Sequence, residues 1–268
     1  MRFTGAGLSL AGVDTGPIER GPIERIVCFS HGLLFSHRMF GPQIAALRDR
    51  FRVVAWDHRG QGESDVPAGR VATIEACTDD AIAVIERLGA PVDFVGLSMG
   101  GFVGLRIAAR RPELVRSLVL IATAPDPEPP ENVSKYRRLN LAARLFGVTG
   151  WLAARVMPIM TSSALASDPS AAERMAEIER QLRANRRTIY KAVNGVLERE
   201  GCEELLGAIR APTVVLRGAD DRAIALDRAN KLVRGIAGAR FVEIPRAGHS
   251  ASLEQPEAVT RLLLEHLR

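Results

Sequence analysis

The sequence predicts an α/β protein, a mostly parallel, doubly wound sheet interrupted by a block of helices. Three observations predict it. Short apolar runs alternate with longer segments of helical period. Most of these runs are apolar throughout, as strands covered by helices on both faces must be. The alternation also stops once, between Leu120 and Thr213, where only helical patterns occur. Strand–helix alternation of this kind gives parallel strands joined by right-handed crossovers.

In chain order, residues 1–14 are expected to add an antiparallel hairpin at one sheet edge. A tandem copy follows, Gly16-Pro17-Ile18-Glu19-Arg20 and then Gly21-Pro22-Ile23-Glu24-Arg25. Five-residue repetition cannot build a solenoid, so this reads as a duplication within an exposed turn. The strand runs are Ile26–Ser30, Arg52–Trp56, Val92–Gly96, Leu118–Ala122, Thr213–Arg217 and Arg240–Ile244, with helical patterns over 39–49, 73–89, 98–110, 227–236 and 255–267. The proline- and acid-rich stretch Pro125–Pro130 opens the interruption and Arg210-Ala211-Pro212 closes it, with helical patterns over 132–147, 150–160, 170–184 and 187–200. The expected organisation is a core of residues 1–124 and 211–268, with a helical cap or lid over 125–210. An insertion so placed lies over the carboxyl ends of the strands, where open α/β sheets bind ligands. There it can shape a pocket and exclude water.

Composition narrows the function classes. The chain has 268 residues, 47% of them hydrophobic and 25% charged, which is ordinary globular usage. A chain this long buries roughly three quarters of its unfolded surface and needs no metal or disulfide to fold. Cys28, Cys77 and Cys202 stand far apart without metal-ligand spacing. Neither a metal nor a cofactor is expected. No apolar run approaches the roughly 20 residues of a membrane span, and Met1–Gly7 lacks the apolar stretch of a secretory signal. The expectation is a cytoplasmic protein without a membrane partner. The net charge of +5 comes from 36 Lys+Arg against 31 Asp+Glu, and only Lys135, Lys191 and Lys231 are lysines. Residues 125–210 hold 13 basic against 11 acidic residues, without aromatic interleaving. That balance excludes a nucleic-acid stripe.

The sharpest motif is Gly96-Leu97-Ser98-Met99-Gly100-Gly101, directly after a strand and before a helical pattern. It has the G-x-S-x-G form of a nucleophile elbow. Glycines at 96 and 100 remove side chains that would collide on so tight a strand-to-helix turn. The helix behind Ser98 points its positive end at the charge formed during attack. A dinucleotide-binding turn fits worse, because it needs glycine where Ser98 stands. A serine hydroxyl needs a base. His249, in Ala247-Gly248-His249-Ser250 after the last strand, reaches the same sheet edge, whereas His266 lies near a helix end. The base needs an orienting acid, and Asp220 and Asp221 both follow another strand, with Asp126 a third candidate.

The order Ser98, acid, His249 resembles the α/β-hydrolase superfamily over nearly the whole chain. Two further stretches carry the resemblance: Phe29-Ser30-His31-Gly32-Leu33-Leu34, similar to the family's His-Gly loop, and Asp57-His58-Arg59-Gly60-Gln61-Gly62-Glu63-Ser64, similar to its D-x-R-G-x-G-x-S turn. The resemblance implies a Ser98–Asp221–His249 triad, since the family's G-x-x-D pattern begins at Gly218. Ala225 departs from it, standing where many relatives have proline. The resemblance further implies an oxyanion hole from the backbone N–H groups of Leu33 and Met99, with His31 structural.

Serine at position 98 argues against the branches with a carboxylate nucleophile. The strings around Ser98 and His31 look most like those of enol-lactonases and esterases. The expected function is therefore hydrolysis of a small carboxylic ester or lactone through an acyl-enzyme. The alternatives are a carbon–carbon bond hydrolase of ring-cleavage products and a hydrolase-like small-molecule receptor. In the insertion, Trp151, Phe146, Met157, Met160 and Leu165 are candidate apolar pocket residues. Arg137 and Arg138, with Arg183, Arg186 and Arg187, are candidates to bind a substrate carboxylate. Glu177/Arg180 and Glu179/Arg183 also fit a solvated helix face.

Overall fold

A computed structural model describes residues 1–17 and 25–267 of the chain. Most of the tandem repeat at 16–25 lies outside the described residues. An eight-stranded sheet runs β1 (Arg2–Thr4), β2 (Ser9–Asp14), β3 (Ile26–Ser30), β4 (Arg52–Trp56), β5 (Val92–Leu97), β6 (Val115–Ile121), β7 (Thr213–Gly218) and β8 (Arg240–Ile244). Their order across the sheet is β1-β2-β4-β3-β5-β6-β7-β8. The pairs β1/β2 and β2/β4 are antiparallel and every other pair is parallel. This is the expected doubly wound sheet with an N-terminal edge hairpin.

The continuous apolar runs follow from cover on both faces. In β3, Ile26 and Cys28 pack into a core shared with α2 (Ile74–Leu88), α3 (Met99–Arg110) and α9 (Leu226–Gly235). Val27 and Phe29 point the other way, into a core with α1 (Gly41–Leu47) and α11 (Pro256–His266). Strand β6 begins at Val115, three residues before the apolar run, because its pairing with β5 continues past a register shift that leaves Arg116 without a partner on β5. A short helix, α10 (Ala251–Glu254), has no sequence periodicity to announce it.

Between β6 and β7 lie α4 (Pro130–Phe146), α5 (Gly150–Met160), α6 (Ser163–Ala166), α7 (Ala172–Arg183) and α8 (Tyr190–Leu197). No strand occurs there among the described residues. Helix α8 is stitched to the loop before α2. Ala72 N–H donates to the Lys191 carbonyl at 2.9 Å, Lys191 Nζ to the Pro67 carbonyl at 2.7 Å and Asn194 Nδ2 to the Arg70 carbonyl at 3.0 Å. Gly195 makes this approach possible, since a Cβ on it would lie 1.8 Å from the Ala72 carbonyl oxygen. Backbone cannot yield as a side-chain tip can, so Gly195→Ala must push α8 off the core. The expected loss is about 1–3 kcal/mol of stability, the range for overpacking, read from chemical denaturation of the variant against wild type.

Candidate active site

The site lies at the carboxyl ends of β3, β5, β7 and β8. Strand β5 leads into Ser98, whose φ of 50° and ψ of −109° leave it in a region that costs a non-glycine residue energy. The strain is held by packing. A Cβ on Gly96 would lie 2.4 Å from the Gly100 carbonyl oxygen, and one on Gly100 would lie 1.9 Å from that of Ser30. Ser98 N–H donates to the Ile121 carbonyl at 2.8 Å and Thr123 Oγ1 donates to the Ser98 carbonyl at 2.9 Å. Helix α3 starts at the next residue, with its positive end beside the serine.

Two backbone N–H groups border this turn. Gly32 N–H is taken by Met39 Sδ at 3.3 Å and Leu34 N–H by Gln61 Oε1 at 2.9 Å. Between them the Leu33 N–H has no partner among the described residues, and neither has that of Met99, the first residue of α3. His31 has both ring nitrogens engaged. Its Nδ1 donates to the Gly32 carbonyl at 2.8 Å, and its Nε2 accepts from His58 N–H at 2.9 Å. Burial holds its pKa below the ordinary histidine value. This imidazole braces the loop that carries Leu33.

His249 sits on the loop after β8, and its Nδ1 is 3.1 Å from both carboxylate oxygens of Asp221. A carboxylate can only accept, so Nδ1 carries the proton and the Nε2 lone pair is free. Asp221 is buried, and its Oδ1 also accepts from Ala223 N–H at 2.9 Å and Ile224 N–H at 3.0 Å. Arg217 fixes the same loop through the carbonyls of Asp221 and Ile224. Asp220 instead faces Ser163 Oγ at 3.4 Å, and Asp126 pairs with Arg228 at 2.6 Å. Of the three candidate acids, only Asp221 lies against His249.

Burial works against an imidazolium at His249. The Asp221 carboxylate, followed by Glu254 and Glu128, outweighs it and leaves the pKa above the ordinary 6.5. Burial likewise opposes ionisation of Asp221, but His249 and the two backbone donors hold its pKa below the ordinary value. Ser98 and His249 line one cavity, and no hydrogen bond joins them among the described residues. Such a contact commonly tightens only around a bound substrate.

Residues 26–262 match the model of the alpha/beta hydrolase family. The chain belongs to that family. A protein of Rhizobium rhizogenes named "Putative carbamate hydrolase RutD" is 30% identical over 248 residues, which is 91% of this chain and 93% of that protein. Among solved structures, a thermophilic esterase from Thermogutta terrifontis, malate bound, superposes with a TM-score of 0.89 at 32% identity, covering 100% of this chain and 97% of the other. The enol-lactonase of Burkholderia xenovorans LB400 gives a TM-score of 0.87 at 28% identity, covering 100% and 99%.

In this hydrolase the cavity wall over Ser98 comes from the insertion. Tyr136, Leu139, Asn140 and Ala143 of α4 and Leu152, Val156, Ile159 and Met160 of α5 face it at helical spacing. That geometry corrects the expectation for Trp151, Arg137 and Arg138. Arg137 and Arg138 follow Tyr136 and turn outward to solvent. Trp151 is 59% exposed with the Arg155 guanidinium over its ring, and Phe146 is exposed as well. Met160 does line the cavity, whereas Met157 and Leu165 border a separate hollow. Arg183 pairs with Glu179 and Arg186 donates to the Ser64 carbonyl, so neither faces the cavity.

Sequence reasoning passed over Glu254. Its fully buried carboxylate accepts from Gly248 N–H at 2.9 Å and from Ser162 N–H at 2.7 Å, joining the His249 loop to the insertion. Burial raises its pKa. The available signal was a lone glutamate five residues after His249, at the end of the small and apolar stretch Ala251-Ser252-Leu253. Gly248 has a steric reason of its own. A Cβ there would lie 2.6 Å from Ser162 N, so the glycine admits the insertion against the His249 loop. Among the described residues no cluster of His, Cys, Asp and Glu could hold a metal ion.

The assignment of the acid is open to direct titration. Asp221→Asn should move the His249 titration to lower pH, because the neutral amide no longer favours the imidazolium. Asp220→Asn should leave it in place. NMR of the His249 ring across pH reads both, and the reverse pattern would reject Asp221.

Proposed function

We propose that the chain is a serine hydrolase that cleaves a small carboxylic ester or lactone through an acyl-enzyme at Ser98. The observation that carries this reading is the Asp221–His249 pair, which opens its free Nε2 onto the cavity that holds Ser98. Ser98 Oγ attacks the acyl carbonyl while His249 Nε2 takes its proton. The oxyanion is received by the N–H groups of Leu33 and Met99, whose dipoles are already in place before reaction. His249 then protonates the leaving oxygen, and water repeats the sequence to free the acid and Ser98. The helices of residues 125–210 act as a lid that supplies the apolar wall and keeps bulk water out. The esterase and enol-lactonase likenesses support this class. A carbamate presents the same acyl carbonyl to the same groups, which fits the RutD-named relative.

Because His249 must be neutral to accept the proton, kcat/KM should fall as pH drops through its pKa, a limb placed above the ordinary 6.5. Wild type should be labelled by a fluorophosphonate probe and should turn over p-nitrophenyl butyrate. Ser98→Ala should abolish labelling and lower kcat by about 10⁶-fold, the scale for loss of a triad nucleophile. Labelling that survives the substitution rejects Ser98. If wild type binds lactones with a shift in melting temperature yet turns none over, a receptor role replaces the enzyme.

A further inference from the structure

The cavity wall is uneven in charge in a way the reaction itself does not use. Among the described residues it contains no lysine or arginine, and its charged groups are His249 and Glu128. Glu128 comes from the proline-rich approach to α4. Its Oε1 accepts from Asn132 Nδ2 and its Oε2 from Arg199, both at 3.2 Å. Arg199 does not line the cavity. Its side chain is 1% exposed, its Cζ lies 4.1 Å from the centre of the Phe102 ring, and it also donates to the carbonyls of Val196 and Asp126.

Asn140 adds a second acceptor. Its Nδ2 donates to the Tyr190 carbonyl at 3.2 Å and to Asn194 Oδ1 at 2.8 Å. A backbone carbonyl can only accept, so this bond fixes which end of the amide is nitrogen. The Oδ1 is left buried without a hydrogen bond. A buried oxygen in that condition is costly until a donor reaches it. Tyr136 and Ser98 complete the polar part of an otherwise apolar lining, apart from His249 itself.

We infer that Glu128 and Asn140 form a specificity subsite for a hydrogen-bond donor, a hydroxyl or an ammonium, on an otherwise apolar substrate, and that the same subsite rejects a carboxylate. The inference rests on the hydrolase reading above. A donor satisfies the Asn140 oxygen and the free lone pairs of Glu128. At Glu128 and the Asn140 oxygen a carboxylate meets acceptors only and must lose its water beside Glu128, with no cation in the wall but His249. Asp221 and Glu254, already set around that imidazole, add two more negative charges on the same side.

The test compares p-nitrophenyl esters of four- to eight-carbon acids ending in methyl, hydroxyl, ammonium or carboxylate. At the best length, wild-type kcat/KM should rank a hydroxyl or ammonium ester first and place the carboxylate ester at least about tenfold below the methyl ester, as for a polar group facing a mismatched site. Whether hydroxyl or ammonium leads identifies the donor. Glu128→Gln should shrink the carboxylate deficit and remove any ammonium preference. If that variant fails to fold, Glu128→Asp should keep the deficit, and the wild-type ranking decides alone. Carboxylate and methyl esters cleaved equally well would overturn the subsite while leaving the hydrolase standing. No turnover of any ester by protein with an intact melting transition would overturn the hydrolase reading, and the subsite with it.

Discussion

Everything at this site depends on how closely α3 can approach the sheet. The carbonyl of Ser30 on β3 and the backbone of Gly100 on α3 meet with no space for one carbon atom between them. That contact holds the first turn of the helix against the ends of β3 and β5, and so keeps Ser98 in a backbone conformation it would not adopt alone. It also brings the Met99 N–H beside the loop that carries the Leu33 N–H. The strain at Ser98 is therefore a consequence of packing, sustained by the two apolar cores that clamp the sheet from both faces.

Around that fixed point the polar groups are ordered by burial. His31 is kept neutral and used as a brace, while His249 is drawn toward its charged form by surrounding carboxylates. Two imidazoles at the same sheet edge thus receive opposite treatment from their environments. On the proposed mechanism that separation matters, because the imidazolium at His249 is the species formed as Ser98 attacks. The negative surroundings that favour it also give the cavity its character toward substrate.

The sheet was readable from sequence because its strands are buried on both faces and so are apolar throughout. The elbow was readable because its spacing is a steric requirement, and the residues at 96, 98 and 100 meet it within one turn. Asp221 could be ranked above Asp220 only through resemblance, since adjacent carboxylates on one loop look alike until the loop is folded. The insertion was harder. Leu141, Leu145, Phe146 and Trp151 are exposed while Tyr136 and Leu139 face the cavity, so its helices have apolar residues on both sides and their period does not announce an inner face. Glu128 and Glu254 were invisible for another reason. Each has one partner far along the chain, Arg199 and Ser162 at 71 and 92 residues, and nothing in the sequence announces those long-range contacts.

The Glu254 carboxylate has a mechanical consequence. It holds Gly248 with one oxygen and Ser162 with the other, and Ser250 N–H reaches across to the Met160 carbonyl beside them. The turn between α5 and α6 and the loop bearing His249 are thereby one piece. The cover cannot swing away at that end without dragging the imidazole out of register with Asp221. On the proposed mechanism, prying the cover open at the α6 side would switch the site off by the same movement.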